Sequence, residues 1–140
     1  MKIKMIDFVK NSAEHGLKPT RAHYNDAGLD CYSTEDAILQ PGQRQRIKLG
    51  FGIELPDGYV ALLLPRSSMN AKGIRCEVGV IDSGYRGEIQ AVIVNDTEEE
   101  IQIKRNDKVS QLLVLPIVYA DLAKELINDR NENGFGSTGK

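Results

Sequence analysis

Between Arg46 and Pro56 the apolar residues Ile47, Leu49, Phe51, Ile53 and Leu55 fall on every second position. Period two puts them on one face of an extended chain, the pattern of a half-buried strand. "KIKMIDFV" (Lys2–Val9) alternates at first and also predicts a strand. "PDG" at Pro56–Gly58 is a turn signal, and "YVALLLP" (Tyr59–Pro65) then reads as a more fully buried strand. "GEIQAVIVN" (Gly87–Asn95), "EIQIKRND" (Glu100–Asp107) and "KVSQLLVLPIV" (Lys108–Val118) complete the series. Turn residues recur every ~8–12 positions, as in an all-β sandwich or barrel. Helix is scarce. "SSMNAKG" (Ser67–Gly73) holds one or two turns closed by Gly73, and "ADLAKELIND" (Ala120–Asp129) fits either a helix or a final strand and linker.

The totals narrow this picture. The 140 residues fit one domain, and 41% apolar with 27% charged residues is ordinary for a globular chain. A net charge of −2 gives no reason to expect a nucleic-acid partner. No apolar run approaches the ~18 residues of a membrane span. "MKIKMIDFVK" lacks the apolar core of a secretory signal, so Cys31 and Cys76 are expected to stay thiols in a cytoplasm.

Five segments carry candidate chemistry. "DAGLDCYS" (Asp26–Ser33) has two aspartates around a glycine, either a turn into a strand or carboxylates for magnesium, directly or through its waters. "LPRSSMNAKG" (Leu64–Gly73) sets Arg66, Ser67 and Ser68 after an apolar strand: a phosphate fork with hydroxyls, or a Ser-capped helix with a surface arginine. In "GVIDSGYRGE" (Gly79–Glu88), "DSG" signals a hairpin. Asp82 sits where the strand breaks, as a base for water or as a turn former, and Tyr85 offers a flat face. In "NDKVSQLLVLP" (Asn106–Pro116), Gln111 interrupts an apolar series and needs polar partners. His15 and His23 have no third ligand nearby, and no zinc motif or serine-hydrolase elbow is present.

The fifth segment is "GFGSTGK" (Gly134–Lys140), a phosphate-loop pattern lacking its last Ser or Thr. A true phosphate loop opens a helix, and here the sequence stops. Two readings stand: a Gly/Ser tail, or an arm whose bare amides close on an anion while Phe135 stacks on a base.

In this order, "AGLD", "PRSS", "GVIDSGYRGE", "NDKVSQLL" and "GFGSTG" resemble the five motifs of the trimeric dUTP pyrophosphatases of bacterial or phage type, over about Ala27 to Gly139. The resemblance implies an all-β distorted jelly roll (β-clip) over residues 1–119, an arm or lid over 120–140, and a homotrimer with shared active sites. It implies cleavage of dUTP to dUMP and pyrophosphate by water attacking the α-phosphorus, limiting uracil in DNA and supplying dUMP for dTTP synthesis. The compartment would be a bacterial cytoplasm, or the host's for a phage protein. Mg2+ is the implied cofactor, held mainly by phosphates and water, with Asp30 and Gln111 acting through water.

By position, Asp82 matches the residue that activates the water, Asp30 the motif-one aspartate, and Gln111 the glutamine near the α-phosphate. Arg66, Ser67 and Ser68 match phosphate binders. Gly79, Val80 and Ile81 match the backbone that pairs with uracil, and Tyr85 the ring under deoxyribose. Phe135 matches the aromatic stacked on the base, and Arg130, Gly136, Ser137 and Thr138 the arm around the γ-phosphate. Cys76 stands where many relatives carry an Asn that reads uracil, which shifts that contact toward backbone. Asn131 and Asn133 replace arm glycines, and Met69 replaces the more usual Leu. Related dCTP deaminases carry a catalytic Glu where this sequence has Val92. A second alternative is a regulatory protein whose partner binding is gated by nucleotide; "DTEEE" (Asp96–Glu100) is its only acidic candidate patch, and no partner is identified.

Overall fold

The computed structural model describes residues 1–9 and 18–125. Among these residues eleven strands and one short helix follow one another: β1 (Lys4–Asp7), β2 (Leu29–Tyr32), β3 (Ala37–Leu39), β4 (Arg44–Lys48), β5 (Phe51–Glu54), β6 (Tyr59–Leu64), α1 (Ser67–Ala71), β7 (Ile74–Cys76), β8 (Gly79–Ile81), β9 (Gln90–Asn95), β10 (Ile101–Ile103) and β11 (Lys108–Pro116). A four-stranded sheet runs β2-β11-β6-β8 and a three-stranded sheet runs β4-β9-β7, with β1-β5 and β3-β10 as two-stranded pairs. All pairings are antiparallel. This is the all-β layout that the period-two pattern predicts, of the jelly-roll type that the resemblance implies. Among the described residues no helix is long and apolar enough to cross a membrane.

The core confirms the alternation. Ile47, Leu49, Phe51, Ile53 and Leu55 are at most 6% exposed. They join Cys31, Leu63, Ile81 and Leu112 of the four-stranded sheet and Cys76, Ala91 and Ile93 of the three-stranded sheet in one cluster. Yet Arg46–Pro56 is not one strand. The chain leaves the β4-β9 ladder at Leu49–Gly50, where Gly50 has φ 81°, and re-pairs with β1 as β5. Only glycine takes that φ cheaply, and the inward face stays the same through the change of sheet.

Two further expectations need correction. The Asp82–Gly84 turn is not a hairpin between consecutive strands. β8 pairs with β6, whereas β9 pairs with β4 and β7, so the turn carries the chain from one sheet to the other. Tyr85 N donates to Asp82 O at 3.0 Å, and Ile89 N to Phe51 O at 2.8 Å, which delivers the chain to the second sheet. The start of the helical option at Ala120–Asp129 is also not helical: residues 120–125 are irregular, with Leu122 98% exposed, and the rest lies outside the described residues. The segment Ser67–Gly73 does hold a single short helix, α1 over Ser67–Ala71, and Gly73 follows its C-cap Lys72 at φ 79°.

Candidate active site

The first group of predicted residues forms a row across three strands. Asp30 in β2 lies opposite Gln111 in β11, which lies opposite Leu64 at the end of β6. The chain then runs through Pro65 into Arg66–Ser68. Gln111 Nε2 donates to the Pro65 carbonyl at 2.9 Å, which supplies the partner that a polar residue in an apolar strand requires. Its Oε1 occupies the space where a Cβ on Gly28 would stand, so a bare backbone at "AGLD" is a steric condition for this pose.

Two cations face the Asp30 carboxylate: Arg66 Nε at 3.6 Å from Oδ1 and Lys108 Nζ at 3.4 Å from Oδ2. Arg66 Nη1 also donates to the Lys108 carbonyl at 3.1 Å. Asp30 and Arg66 are only 22% and 26% exposed, so this pairing is partly shielded from water. Arg66 is the N-cap residue of α1 and makes no side-chain cap bond. The opening amides of α1, at Ser67 and Ser68, therefore carry no side-chain cap from that residue.

Sequence reasoning missed Lys108. In a regular strand, residues three apart point to opposite faces. A register shift between Lys108 and Ser110 breaks that parity and brings Lys108 and Gln111 to the same carboxylate neighbourhood. The available signal was the basic residue opening the strand after "ND".

The second group surrounds a cavity of about 320 Å³ whose lining includes Gly79, Val80, Ile81, Tyr85, Val92 and Arg46. Among the described residues β8 has β6 as its only ladder partner, so its other edge is open toward this space, and Val80 is 66% exposed. Asp82 is exposed and sits between the lining residues Ile81 and Tyr85. Ser83 Oγ donates to Asp57 Oδ1 at 3.0 Å, tying the turn to the β5–β6 connection. Tyr85 Oη donates to the Glu88 carbonyl at 2.9 Å, and a Cβ on Gly87 would lie 2.6 Å from Tyr85 Cζ. The glycine of "YRGE" thus lets the ring fold over the backbone.

Cys76 is buried and does not line the cavity; its thiol donates to the Glu77 carbonyl at 3.5 Å. Burial pushes it up to about 11, and burial pushes the Cys31 thiol up to about 12. Neither acts as a thiolate at neutral pH. Val92, the position compared above with the deaminase glutamate, lines the cavity with an apolar side chain. The carboxylate that does line it, Glu88, accepts from the Gly50 amide at 2.9 Å. Among the described residues no cluster of three or more His, Cys, Asp or Glu side chains could hold a metal, and His23 is engaged by Asp26.

Within one chain Asp82 and Gln111 stand at different levels of the sheet. Ile81 pairs with Ala61 of β6, so Asp82 lies level with the start of that strand, whereas Gln111 pairs with Leu64 at its end. Four strand residues separate the two levels, about 13 Å. Arg130, Phe135, Gly136, Ser137 and Thr138 lie outside the described residues.

Known proteins match this arrangement. A family model described as dUTPase covers residues 15–139. The deoxyuridine 5'-triphosphate nucleotidohydrolase of Clostridium tetani is 38% identical over 146 aligned positions, covering 100% of this chain and 97% of that protein. The Corynebacterium glutamicum protein of the same name is 41% identical, covering 87% of each chain. Among solved structures, a dUTPase from phage phi11 of S. aureus, solved for the coordination of a structural Mg(II) ion, superposes with a TM-score of 0.81 at 28% identity, over 89% of this chain and 97% of that one. The dUTPase of Staphylococcus bacteriophage 80alpha with dUpNHpp superposes with a TM-score of 0.83 at 28% identity, over 99% of both chains. With these matches spanning nearly its whole length, the chain belongs to the dUTPase family.

Proposed function

We propose that the chain hydrolyses dUTP to dUMP and pyrophosphate, with the nucleoside in the cavity along β8 and the triphosphate against the row of Asp30, Gln111 and Arg66. The observation that carries this reading is the open edge of β8 beside Tyr85, with Asp82 between two cavity-lining residues. A free strand edge offers alternating amide and carbonyl groups, and backbone in a ladder is rigid enough to pair with the uracil edge and leave no space for a thymine methyl. The Tyr85 ring lies under the deoxyribose and denies room to a 2′-hydroxyl.

Asp82 takes a proton from the water that attacks the α-phosphorus. The new oxygen–phosphorus bond forms as the bond to pyrophosphate breaks. Arg66, Ser67 and Ser68 hold phosphate oxygens, and Gln111, fixed by the Pro65 carbonyl, orients the α-phosphate and water. In the arm, Phe135 stacks on the base, while Arg130, Gly136, Ser137 and Thr138 close over the γ-phosphate and exclude bulk water. The donor set fits magnesium bound largely by the substrate. Asp30 is already shared by two cations, and the described residues hold no carboxylate cage. A magnesium ion that keeps its waters suits this, with Asp30 and Gln111 on those waters. When bound with the triphosphate, it offsets the charge of the departing pyrophosphate.

The roughly 13 Å between the Asp82 level and the Gln111 level is too far for one water to touch both. Sites assembled between neighbouring copies in a closed threefold ring solve this, each copy giving its β8 side to one site and its Asp30 side to another. The test of the chemistry is Asp82→Asn. Turnover should fall by about 10²–10⁴-fold while dUTP binding persists, and turnover at the wild-type rate would remove Asp82 as the base.

A further inference from the structure

We propose that Arg46 determines base specificity by donating to the exocyclic oxygen at the 4-position of uracil, a role that rests on the nucleoside occupying the β8 cavity. Arg46 lies in β4, opposite Val92 of β9, and both line that cavity together with Gln90. These residues belong to the outward face of the three-stranded sheet; the alternate ones, Ile47, Ala91 and Ile93, are fully buried.

The position along the cavity follows from the register. Tyr85, the sugar platform, is bonded to the Glu88 carbonyl, two residues before Gln90. Val92 is two residues further on, about 7 Å along the strand. Arg46, level with Val92, therefore stands at the end away from the sugar. In a pyrimidine ring the carbon opposite the glycosidic nitrogen is C4. Its substituent is the group farthest from the sugar: a carbonyl oxygen in uracil, an amino group in cytosine.

Among the polar side chains lining this cavity, only a guanidinium separates these two bases in the required sense. It has five donors and no acceptor, so it bonds a carbonyl and meets an amino group donor to donor. The Gln90 amide both donates and accepts, so it satisfies either base. The Glu88 carboxylate would favour cytosine, but it is held by the Gly50 amide. The Tyr85 hydroxyl already donates to a carbonyl. Cys76 is turned into the core. The Arg46 side chain has no hydrogen bond or ion pair within the described residues, unlike that of its strand neighbour Arg44, which pairs with Glu77 at 3.5 Å.

The experiment compares the whole protein with its Arg46→Met and Arg46→Lys variants. Pyrophosphate release is measured from dUTP, from dCTP, and from the deoxynucleoside triphosphate of 2-pyrimidinone, which lacks the 4-oxygen and, like cytosine, carries no hydrogen on N3. Arg46 is exposed on a strand surface, and matched melting curves verify that the variants are folded. Arg46→Met is expected to lower kcat/KM for dUTP at least about tenfold while leaving the other two substrates nearly unchanged, so both selectivity ratios shrink by that factor. Arg46→Lys, which keeps charge without the planar fork, should fall between. Unchanged ratios, or an equal loss on all three substrates, would overturn the assignment and leave the dUTPase reading standing. Failure of the wild-type protein to cleave dUTP would instead remove the reading on which the assignment rests.

Discussion

The separation of Asp82 from the Asp30–Gln111–Arg66 row predicts how inactive variants behave when mixed. Asp82→Asn removes the base from one end of the sheet, and Arg66→Ala removes a phosphate fork from the other. Each alone should lose roughly 10²–10³-fold in turnover. If sites form between copies as proposed, each takes Asp82 from one copy and Arg66 from another. In an equal mixture that has exchanged subunits, the copy supplying Asp82 is intact there half the time, and so is the copy supplying Arg66. About a quarter of the sites should then be complete, so activity should return to about 25% of wild type. Recovery should peak at equal amounts and vanish at either extreme. The assay is pyrophosphate release from the unfractionated mixture after refolding the two variants together; tandem purification of differently tagged chains proves that mixed assemblies formed, and in those threefold rings one site in three should be complete. Tandem-purified mixtures without activity above either parent would mean that both groups come from one chain, and the split reading of the sheet would fail.

Other consequences are equally direct. Gly28→Ala should push Gln111 off its bond to the Pro65 carbonyl, lowering turnover at least about tenfold and stability by about 1 kcal/mol, read by kinetics and urea unfolding. Deleting Arg130–Lys140 should leave a folded assembly with severely reduced turnover; full activity of the truncated chain would end the lid reading. Asn106 has φ 73°, so Asn106→Val should cost about 1–2 kcal/mol in thermal unfolding and Asn106→Gly should be tolerated. Burial raises the Cys31 and Cys76 thiols from 9.0 to about 12 and about 11, so the folded chain holds these protons longer than the unfolded one. Their contribution is full below about pH 9 and is lost as the pH climbs toward 11–12, so the urea midpoint should drop across that window and drop less in Cys31→Ala.

Much of this fold was legible because alternation along a strand is a local signal. Ile47 to Leu55 announced their buried face, and "PDG" and Gly73 marked real turns. The limits were non-local. Alternation continues unbroken through Leu49–Gly50, so it cannot reveal that the chain changes sheets there. "DSG" encodes a turn but not the partner of the strands it joins, and β8 found β6 rather than β9. Strands β3 and β7, three residues each, are too short to show a period. At the site, the motifs pointed to Asp30, Arg66 and Gln111, which lie close together in the structure, but nothing in them singled out Lys108 as a partner of Asp30. Lys108 reaches Asp30 through a register irregularity, and Arg46 looks in sequence like any exposed charge on a strand.

The most direct test of the account is pyrophosphate release, with magnesium, from dUTP, UTP, dTTP and dCTP in parallel. The account predicts release from dUTP alone, abolished by a chelator, because the cavity rejects the 2′-hydroxyl, the methyl group and the 4-amino group in turn. Release from none of the four, or equal release from all, would contradict it.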